Sequence, residues 1–310
     1  MRAFYLFLLL LTTINISLYA QQAGSTAIDT VTPMQDANNQ APADSTRPRV
    51  RSHFTAGVQY LSDNVYTGRK DSSHIPYLTT TVAYYHKSGL YAEGAVSMLS
   101  GTDNMRVDAG ILSAGYLFSR GNFDGDISAS KYFYNNLSQN VRAEVKGDIR
   151  ASGSYDFNEI ITATVDGNLT FSSKNDYALR GALDHIFYLL QDRLRINPTL
   201  SANAGTQHYY DAYYNFRHLS HPHSKKDKAK PTVIADMQQA SQFNILDYEF
   251  SMPVSYTIHR HLTLSFEPIY AMPVHPAVLI LTTVASNTSK TRTEPLSNQF
   301  YWSFGVTYKW

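Results

Sequence analysis

From residue 52 onward, most of the chain alternates apolar and polar side chains, which is the pattern of β-strands with two different faces. The segment 141–152 shows it most clearly, because Val, Ala, Gly and Ile alternate there with Arg, Glu, Lys and Asp. The segments 161–171 and 193–204 repeat the pattern. A helix would scatter the same residues around its circumference. The alternation therefore predicts an all-β fold whose strands separate two environments.

The alternation and the turn residues between segments predict about twelve strands with an even count, as bacterial membrane barrels have. They fall near 53–62, 77–87, 90–99, 106–118, 122–134, 140–156, 160–173, 177–190, 193–209, 242–258, 262–273 and 297–310. Taken as hairpins, their connections alternate between a short set and a mostly longer set, which fits short periplasmic turns and longer external loops. Residues 277–284 are also β-prone. We expect them to extend the eleventh strand or to form an external hairpin, since a thirteenth strand would place the termini on opposite sides.

The last segment carries the most specific signal. One of its faces is aromatic or aliphatic throughout, and the chain ends on Trp310; that face holds Phe300, Trp302, Phe304, Val306, Tyr308 and Trp310. This resembles the C-terminal strand signal of bacterial outer-membrane β-barrel proteins. The resemblance implies a transmembrane antiparallel up-and-down β-barrel located in the bacterial outer membrane. It also implies that the barrel-assembly machinery reads Phe304, Val306, Tyr308 and Trp310.

A second similarity concerns the first hairpin. Tyr66-Thr67-Gly68-Arg69 and the stretch Tyr84 to Ala92, with its His86-Lys87-Ser88-Gly89 turn, are similar to an early hairpin of uncharacterised bacterial outer-membrane proteins. This similarity implies no activity.

The beginning of the chain predicts export. Arg2 precedes the apolar run 3–11, which is too short to cross a bilayer core of ~30 Å. Residues 1–20 therefore fit a secretory signal peptide cut after Ala20, with a cut after Ala23 as the alternative. Residues 21–51 lack apolar periodicity and predict a disordered periplasmic leader, which leaves 52–310 for the barrel.

The composition supports a membrane surface. Charged residues make up 16% of the chain, against about 25% in soluble domains, while aromatic residues reach 13% with 23 Tyr. The formal net charge of +1 does not indicate a nucleic-acid partner. There is no Cys, which excludes disulfides, thiolate metal sites and a Cys nucleophile.

In such a barrel the polar face lines the lumen. The residues predicted to line it are Glu93, Asp124, Asp126, Arg142, Glu144, Lys146, Asp148, Arg150, Asp166, Arg193, Arg195, Asp247 and Glu249, and Asp108, Arg180 and Glu267 share the pattern. Both signs are mixed, so two outcomes stay open. Ion pairs fill the lumen of a structural barrel, or acidic and basic walls face each other across a narrow porin-like pathway for small solutes.

The chain shows no catalytic constellation, so we expect no enzyme and no cofactor. Of its two His-x-Ser matches, His86-Lys87-Ser88 lies at a short turn, and His218-Leu219-Ser220 lies in a long external loop without a flanking strand. An outer-membrane enzyme acting on lipid or peptide would need His with Ser or Asp on one outward face.

The long external loops leave two further hypotheses. His218, His221 and His223 are weak candidates for binding Zn²⁺ or Cu²⁺, and the following lysines suit contact with anionic lipopolysaccharide at the outer leaflet. A surface receptor or adhesin using 210–241 and 274–296 is the other alternative to a passive barrel.

Overall fold

The computed structural model describes residues 51–70, 76–100, 105–135, 138, 145–210, 233–283 and 286–310. This part of the chain is nearly all β. Its strands are β1 His53–Leu61, β2 Val65–Tyr66, β3 Arg69–Lys70, β4 Tyr77–Tyr85, β5 Leu90–Leu99, β6 Arg106–Arg120, β7 Phe123–Tyr134, β8 Gly147–Asp156, β9 Thr162–Phe171, β10 Asp176–Asp184, β11 Phe187–Leu189, β12 Leu194–Ile196, β13 Thr199–Gly205, β14 Val233–Gln238, β15 Asn244–Ser251, β16 Val254–Ile258, β17 Leu262–Pro273, β18 Val278–Thr283, β19 Thr288–Thr293 and β20 Gln299–Lys309.

Antiparallel pairing between neighbours closes a twelve-strand barrel. Its order is β1-β4-β5-β6-β7-β8-β9-β10-β13-β15-β17-β20, and β20 returns to β1. The short strands β11, β12 and β16 continue β10, β13 and β15 at one end of the barrel. The predicted all-β, transmembrane up-and-down barrel is therefore confirmed, and so is the strand count.

The seam between the first and last strands completes the barrel. The pairing of β1 with β20 runs from Thr55 opposite Lys309 to Leu61 opposite Ser303. Beyond it, the amide of Phe54 donates to the carbonyl of Trp310 at 3.2 Å, and the amide of Trp310 donates back at 3.1 Å. A closed sheet leaves no strand edge in the hydrocarbon, where water is absent as a hydrogen-bonding partner.

The two faces of the strands are opposite in character to those of a soluble β-domain. Leu112, Val165 and Leu200 on the outer face are 59%, 56% and 62% exposed, whereas Asp166 and Asp247 on the inner face are buried. No helix within the described ranges is long and apolar enough to cross a membrane. The apolar exterior and closed sheet are those of a β-barrel of the bacterial outer membrane.

The connections divide by length between the two ends of the barrel. Those at the end that holds both termini are 86–89, 121–122, 157–161, 190–193 and 259–261. Those at the opposite end are 62–76, 100–105, 135–146, 172–175, 206–243 and 274–298. His259 and Arg260 have φ of 51° and 64°, which a tight hairpin turn requires at both central positions. The short set marks the periplasmic end.

The sixth barrel strand begins later than its alternation predicts. The expected start was residue 140, whereas β8 begins at Gly147. Val145 is buried in an interior cluster with Ala95, Ile111 and Tyr132, and this breaks the alternation before the strand. Lys146 is left exposed, and Arg142 and Glu144 lie outside the described residues.

The β-prone stretch 277–284 is a separate element outside the barrel. Its strand β18 pairs with β14 on one side and β19 on the other, in a three-stranded sheet at the external end. Buried Met237, Ala240, Ala277 and Leu279 hold this sheet together. The expectation of an external hairpin, rather than a thirteenth barrel strand, is confirmed.

The outer face sets a stability test. Leu112 lies near the middle of β6, whereas Leu90 is the first residue of β5 beside the periplasmic turn. We expect Leu112→Arg to lower the free energy of unfolding by about 2–4 kcal/mol and Leu90→Arg by about 1 kcal/mol or less, because the cost of a lipid-facing cation falls towards the interface. Denaturant unfolding in lipid vesicles, followed by tryptophan fluorescence, measures both. Equal losses for the two variants would contradict this placement.

Candidate functional site

A row of polar side chains crosses one wall of the barrel interior. The strand register places them side by side on the inner face from β7 to β15, in the order Asp126, Ser152, Asp166, Arg180, Asn203 and Asp247. Side chains opposite each other on adjacent strands have Cβ atoms about 5 Å apart. The barrel thus assembles a continuous charged belt from residues far apart in the sequence, and we call this row the charged belt.

Asp166 lies at the centre of the belt and is shared by two arginines. Its Oδ1 lies 2.6 Å from a guanidinium nitrogen of Arg150, and its Oδ2 lies 3.4 Å from one of Arg180. The three side chains are each about one-tenth exposed. Because the arginines come from β8 and β10 and the aspartate from β9, the triad ties three strands together on the inner face.

Tyrosine hydroxyls hold several of the other interior carboxylates. The hydroxyl of Tyr91 donates to Asp126 at 3.1 Å, and that of Tyr132 donates to Asp148 at 2.7 Å. The Tyr91 ring lies across Gly115, where a Cβ atom would come within 2.6 Å of it. A neutral donor orients a carboxylate without cancelling its charge.

Asp247 and Glu249 extend the acidic character onto β15. They are 0% and 2% exposed and share the inner face, opposite Asn203 and Ser201 on β13. The hydroxyl of Tyr301 donates to Glu249 across 3.4 Å. The β15 end of the belt therefore has a second buried acid beside it on the same strand.

Most of the sequence-predicted residues lie on the inner face of barrel strands. By strand register these are Glu93, Asp124, Asp126, Asp148, Arg150, Asp166, Arg195, Asp247 and Glu249. Two do not belong to it, since Lys146 precedes β8 and Arg193 lies in the turn before β12, and both are exposed. The sequence reasoning missed Tyr91 and Tyr132, although both fall on the polar side of their strands' alternation.

A segment of the first external connection is also buried. From Ser62 to Arg69 every residue that has a side chain is buried, although a connection of this kind usually lies on the surface. Within it β2 and β3 form a two-stranded hairpin of their own. Val65 belongs to a buried apolar cluster with interior residues of five barrel strands, namely Leu61, Tyr77, Leu99, Ile269, Ala271 and Tyr301. We call residues 62–70 the inner segment.

Arg69 joins the inner segment to the last external connection. Its Nε lies 3.1 Å from Glu294 Oε2, and its guanidinium also donates to the carbonyls of Thr67 and His275. Burial lowers the pKa of Arg69, but Tyr209 and Glu294 outweigh that effect, so the pKa lies above its ordinary value. The arginine therefore stays charged in the pair.

The hydroxyl of Tyr210 completes the environment of Glu294, donating to its Oε1 at 2.8 Å. Burial, followed by the negative charge of Glu294, raises the pKa of Tyr210. The tyrosine thus stays protonated and remains a donor. Glu294 also accepts from the amide of Ala277 at 3.0 Å, which fixes the carboxylate beside the external sheet.

Asp176 holds Tyr209, a second residue that contacts the inner segment. It accepts from the amides of His208 and Tyr209, both at 2.8 Å, and from the Thr206 hydroxyl at 2.7 Å. These bonds hold Tyr209 where its hydroxyl lies 2.8 Å from Thr67 Oγ1. Two other external connections, 206–243 and 274–298, therefore contact the inner segment.

The catalytic and metal-binding candidates gain no further support. His86 Nδ1 lies 2.8 Å from the Ser88 hydroxyl, but the backbone amide of Ser88 donates to the same nitrogen at 3.3 Å, which is a local turn contact. Among the described residues no group of three or more His, Asp or Glu is arranged to hold a metal ion. His218, His221 and His223 lie outside the described residues.

Comparison with known proteins extends no further than the fold. No protein-family model matches the chain, and no curated protein matches it. Similar solved structures include the KdgM porin, at 11% identity over 83% of this chain and 98% of that chain with a TM-score of 0.42. An outer membrane channel from Pseudomonas putida F1 is similar at 10% identity over 84% and 96%, with a TM-score of 0.43. BamA from Haemophilus ducreyi, lacking POTRA domains 1–3, is similar at 10% identity over 84% and 71%, with a TM-score of 0.36.

Proposed function

We propose that this protein is a passive, narrow channel for small hydrophilic solutes across the outer membrane, with a preference for cations, and that it catalyses no reaction. The observation that carries the proposal is the charged belt on the interior of a closed barrel. The outer face contacts lipid and lipopolysaccharide. The solutes pass along the inner face.

The belt favours a hydrated interior because a dry one is costly. Moving an ionised carboxylate out of water costs several kcal/mol unless a matched charge and hydrogen bonds replace the water. Asp166 has two arginines, but Asp126 is hydrogen-bonded to the neutral Tyr91. Asp124 on the same strand is partly exposed on the inner face, and in our proposal lumen water hydrates such carboxylates.

The sign of the interior charge favours cations. In the described parts of the barrel strands, the inner-face acids are Glu93, Asp108, Asp124, Asp126, Asp148, Asp156, Asp166, Asp176, Asp184, Asp247, Glu249 and Glu267, and the inner-face cations are Arg106, Arg150, Arg180, Arg195 and Lys309. Acids outnumber cations, and two of the arginines are paired with one acid. A pore lined by a surplus of negative charge concentrates cations and repels anions.

A structural barrel with a closed lumen is the second candidate. The apolar cluster around Val65 favours it, because buried side chains there fill part of the interior at the external end. In this reading the ion pairs of the belt serve only to join strands. The two candidates differ in whether water reaches the belt.

Ion selectivity tests the channel directly. Purified protein in planar bilayers should give small discrete conductance steps whose reversal potential in a KCl gradient shows cation preference. Asp247→Asn/Glu249→Gln should reduce that preference several-fold, because the pathway loses two fixed negative charges. Asp236→Asn is the matched control, since Asp236 is an exposed acid of the external sheet and should leave selectivity unchanged.

The results separate the candidates. Absence of conductance both from the demonstrably folded barrel and from a folded variant in which a short Gly-Ser linker replaces residues 63–70 of the inner segment would reject the channel and favour the structural barrel. Anion preference, or an equal effect of the control substitution, would reject the assignment of Asp247 and Glu249 to the pathway.

The stability of the triad provides an independent measure of hydration. Asp166→Asn leaves Arg150 and Arg180 without their shared carboxylate. In a water-filled lumen we expect the free energy of unfolding to fall by about 1 kcal/mol, because the two arginines can turn into the lumen water once their shared carboxylate is lost. In a dry interior the loss of one partner of a buried pair costs about 3–5 kcal/mol. Denaturant unfolding in vesicles distinguishes the two values, and the larger loss would contradict the channel.

A further inference from the structure

We propose that the inner segment is a gate at the external mouth of the channel, held in its closed position by the Arg69–Glu294 ion pair. The inference rests on the channel function proposed above and adds a movable element to it. Its basis is the way in which this segment is attached to the rest of the molecule.

The gate lies inside the barrel, but its two short strands are not part of the barrel sheet. The hairpin β2–β3 forms a two-stranded sheet separate from the barrel. Its backbone can therefore move as a unit without breaking any ladder hydrogen bond of the barrel wall. What holds it in place is a set of side-chain contacts, which cost far less to break than a transmembrane strand pairing.

Its docking surface is the apolar part of the interior. Val65 belongs to a buried apolar cluster whose other members come from β1, β4, β5, β17 and β20, whereas the charged belt runs over β7 to β15. The apolar side of the segment therefore sits against the wall that lacks the belt, while Arg69 lies close enough to the β15 end of the belt to act on the charge of Asp247. Withdrawal of the segment would widen the external end while leaving the belt in place.

A hinge and a lock lie at opposite ends of the segment. At Ser62 the backbone is tied to the last barrel strand, because its amide donates to the Trp302 carbonyl at 2.9 Å and its hydroxyl accepts from the Trp302 amide at 2.9 Å. At the other end the lock is Arg69 with Glu294, residues that lie 225 positions apart. Glu294 belongs to an external connection, so the lock joins two loops and not a loop to the barrel wall.

Loss of one member of the lock is costly because the pair is buried. The side chains of Arg69 and Glu294 are 2% and 11% exposed. Removal of one member leaves the other charged and buried without its partner, which strongly disfavours the closed arrangement. The open arrangement returns that charge to water. A single substitution at the lock should therefore shift the segment towards release.

Thiol labelling measures this release without any reference to conduction. The chain has no natural Cys, so Val65→Cys provides a unique thiol at a position that is 5% exposed. We expect slow reaction with a hydrophilic maleimide in the otherwise unchanged protein. Addition of Arg69→Ala should accelerate labelling at least about tenfold, the consequence of losing a buried ion pair. Arg120→Ala is the control, because Arg120 is exposed at the periplasmic end.

Conductance is then measured on the same variants. Arg69→Ala should raise the unit conductance or the open probability, and Arg120→Ala should not. Arg69→Met/Glu294→Leu replaces the lock by apolar side chains and should restore slow labelling and the lower conductance, which separates loss of the lock from general misfolding. Heat-dependent gel migration confirms that each variant is a folded barrel.

The outcomes separate the gate from the channel function. Fast labelling of Val65→Cys without any change at Arg69 would overturn the gate, because the segment would not be held. Release in Arg69→Ala with unchanged conductance would also overturn the gate, while a conducting protein would still support the channel. A third outcome is fast labelling in Arg69→Ala together with no measurable conductance in any variant, including one with residues 63–70 replaced by a short Gly-Ser linker. That outcome would reject both the channel and the gate.

Discussion

The structure depends on one requirement, that no backbone amide or carbonyl be left unpaired in the hydrocarbon. Pairing of β1 with β20 meets it by removing the two edges that an open sheet would expose. The reciprocal bonds between Phe54 and Trp310 finish this seam at the periplasmic end. The aromatic end of the chain is thus a structural part of the barrel as well as a signal that we propose the assembly machinery reads.

Closure of the sheet also fixes where polar residues are placed. Once lipid covers the outer face, residues at every second position must be apolar, and the remaining positions face inward. The register then brings Arg150, Asp166 and Arg180 together from three strands. The apolar patch around Val65 interrupts this polar interior at the external end, and it is there that the inner segment docks. The two proposals, a pathway along the belt and a gate opposite it, follow from this division of the interior.

The sequence predicted the strands well because period-two alternation and turn residues are local signals. It identified Asp166 and Arg150 as inner-face residues for the same reason, since orientation depends only on position within a strand. It did not predict that these two would pair, because pairing depends on the register of neighbouring strands, which turn geometry sets. The late start of β8 was also missed, since Val145 enters an interior cluster formed by three other strands.

The burial of the inner segment could not be predicted from the sequence, because it depends on contacts with residues far away in the chain. Local composition suggests a surface loop at 62–76, and the burial of residues 62–69 follows from partners as distant as Glu294. The tyrosines that hold carboxylates were visible in the alternation as inner-face residues. Tyrosine is equally common in the interfacial girdle of a barrel, so residue type alone did not reveal their role.

The channel requires that water contacts the inner face of the closed barrel and that lipid covers the outer face. Adjacent positions on β13 test it most directly, because Ser201 lies on the inner face and Leu200 is 62% exposed on the outer face. Each would be replaced by Cys, the only thiol in the chain, and treated in native membranes with a small, charged, membrane-impermeant thiol reagent. We expect reaction at Ser201→Cys and none at Leu200→Cys. An unreactive thiol at 201 in a folded barrel, or equal reaction at both positions, would contradict it.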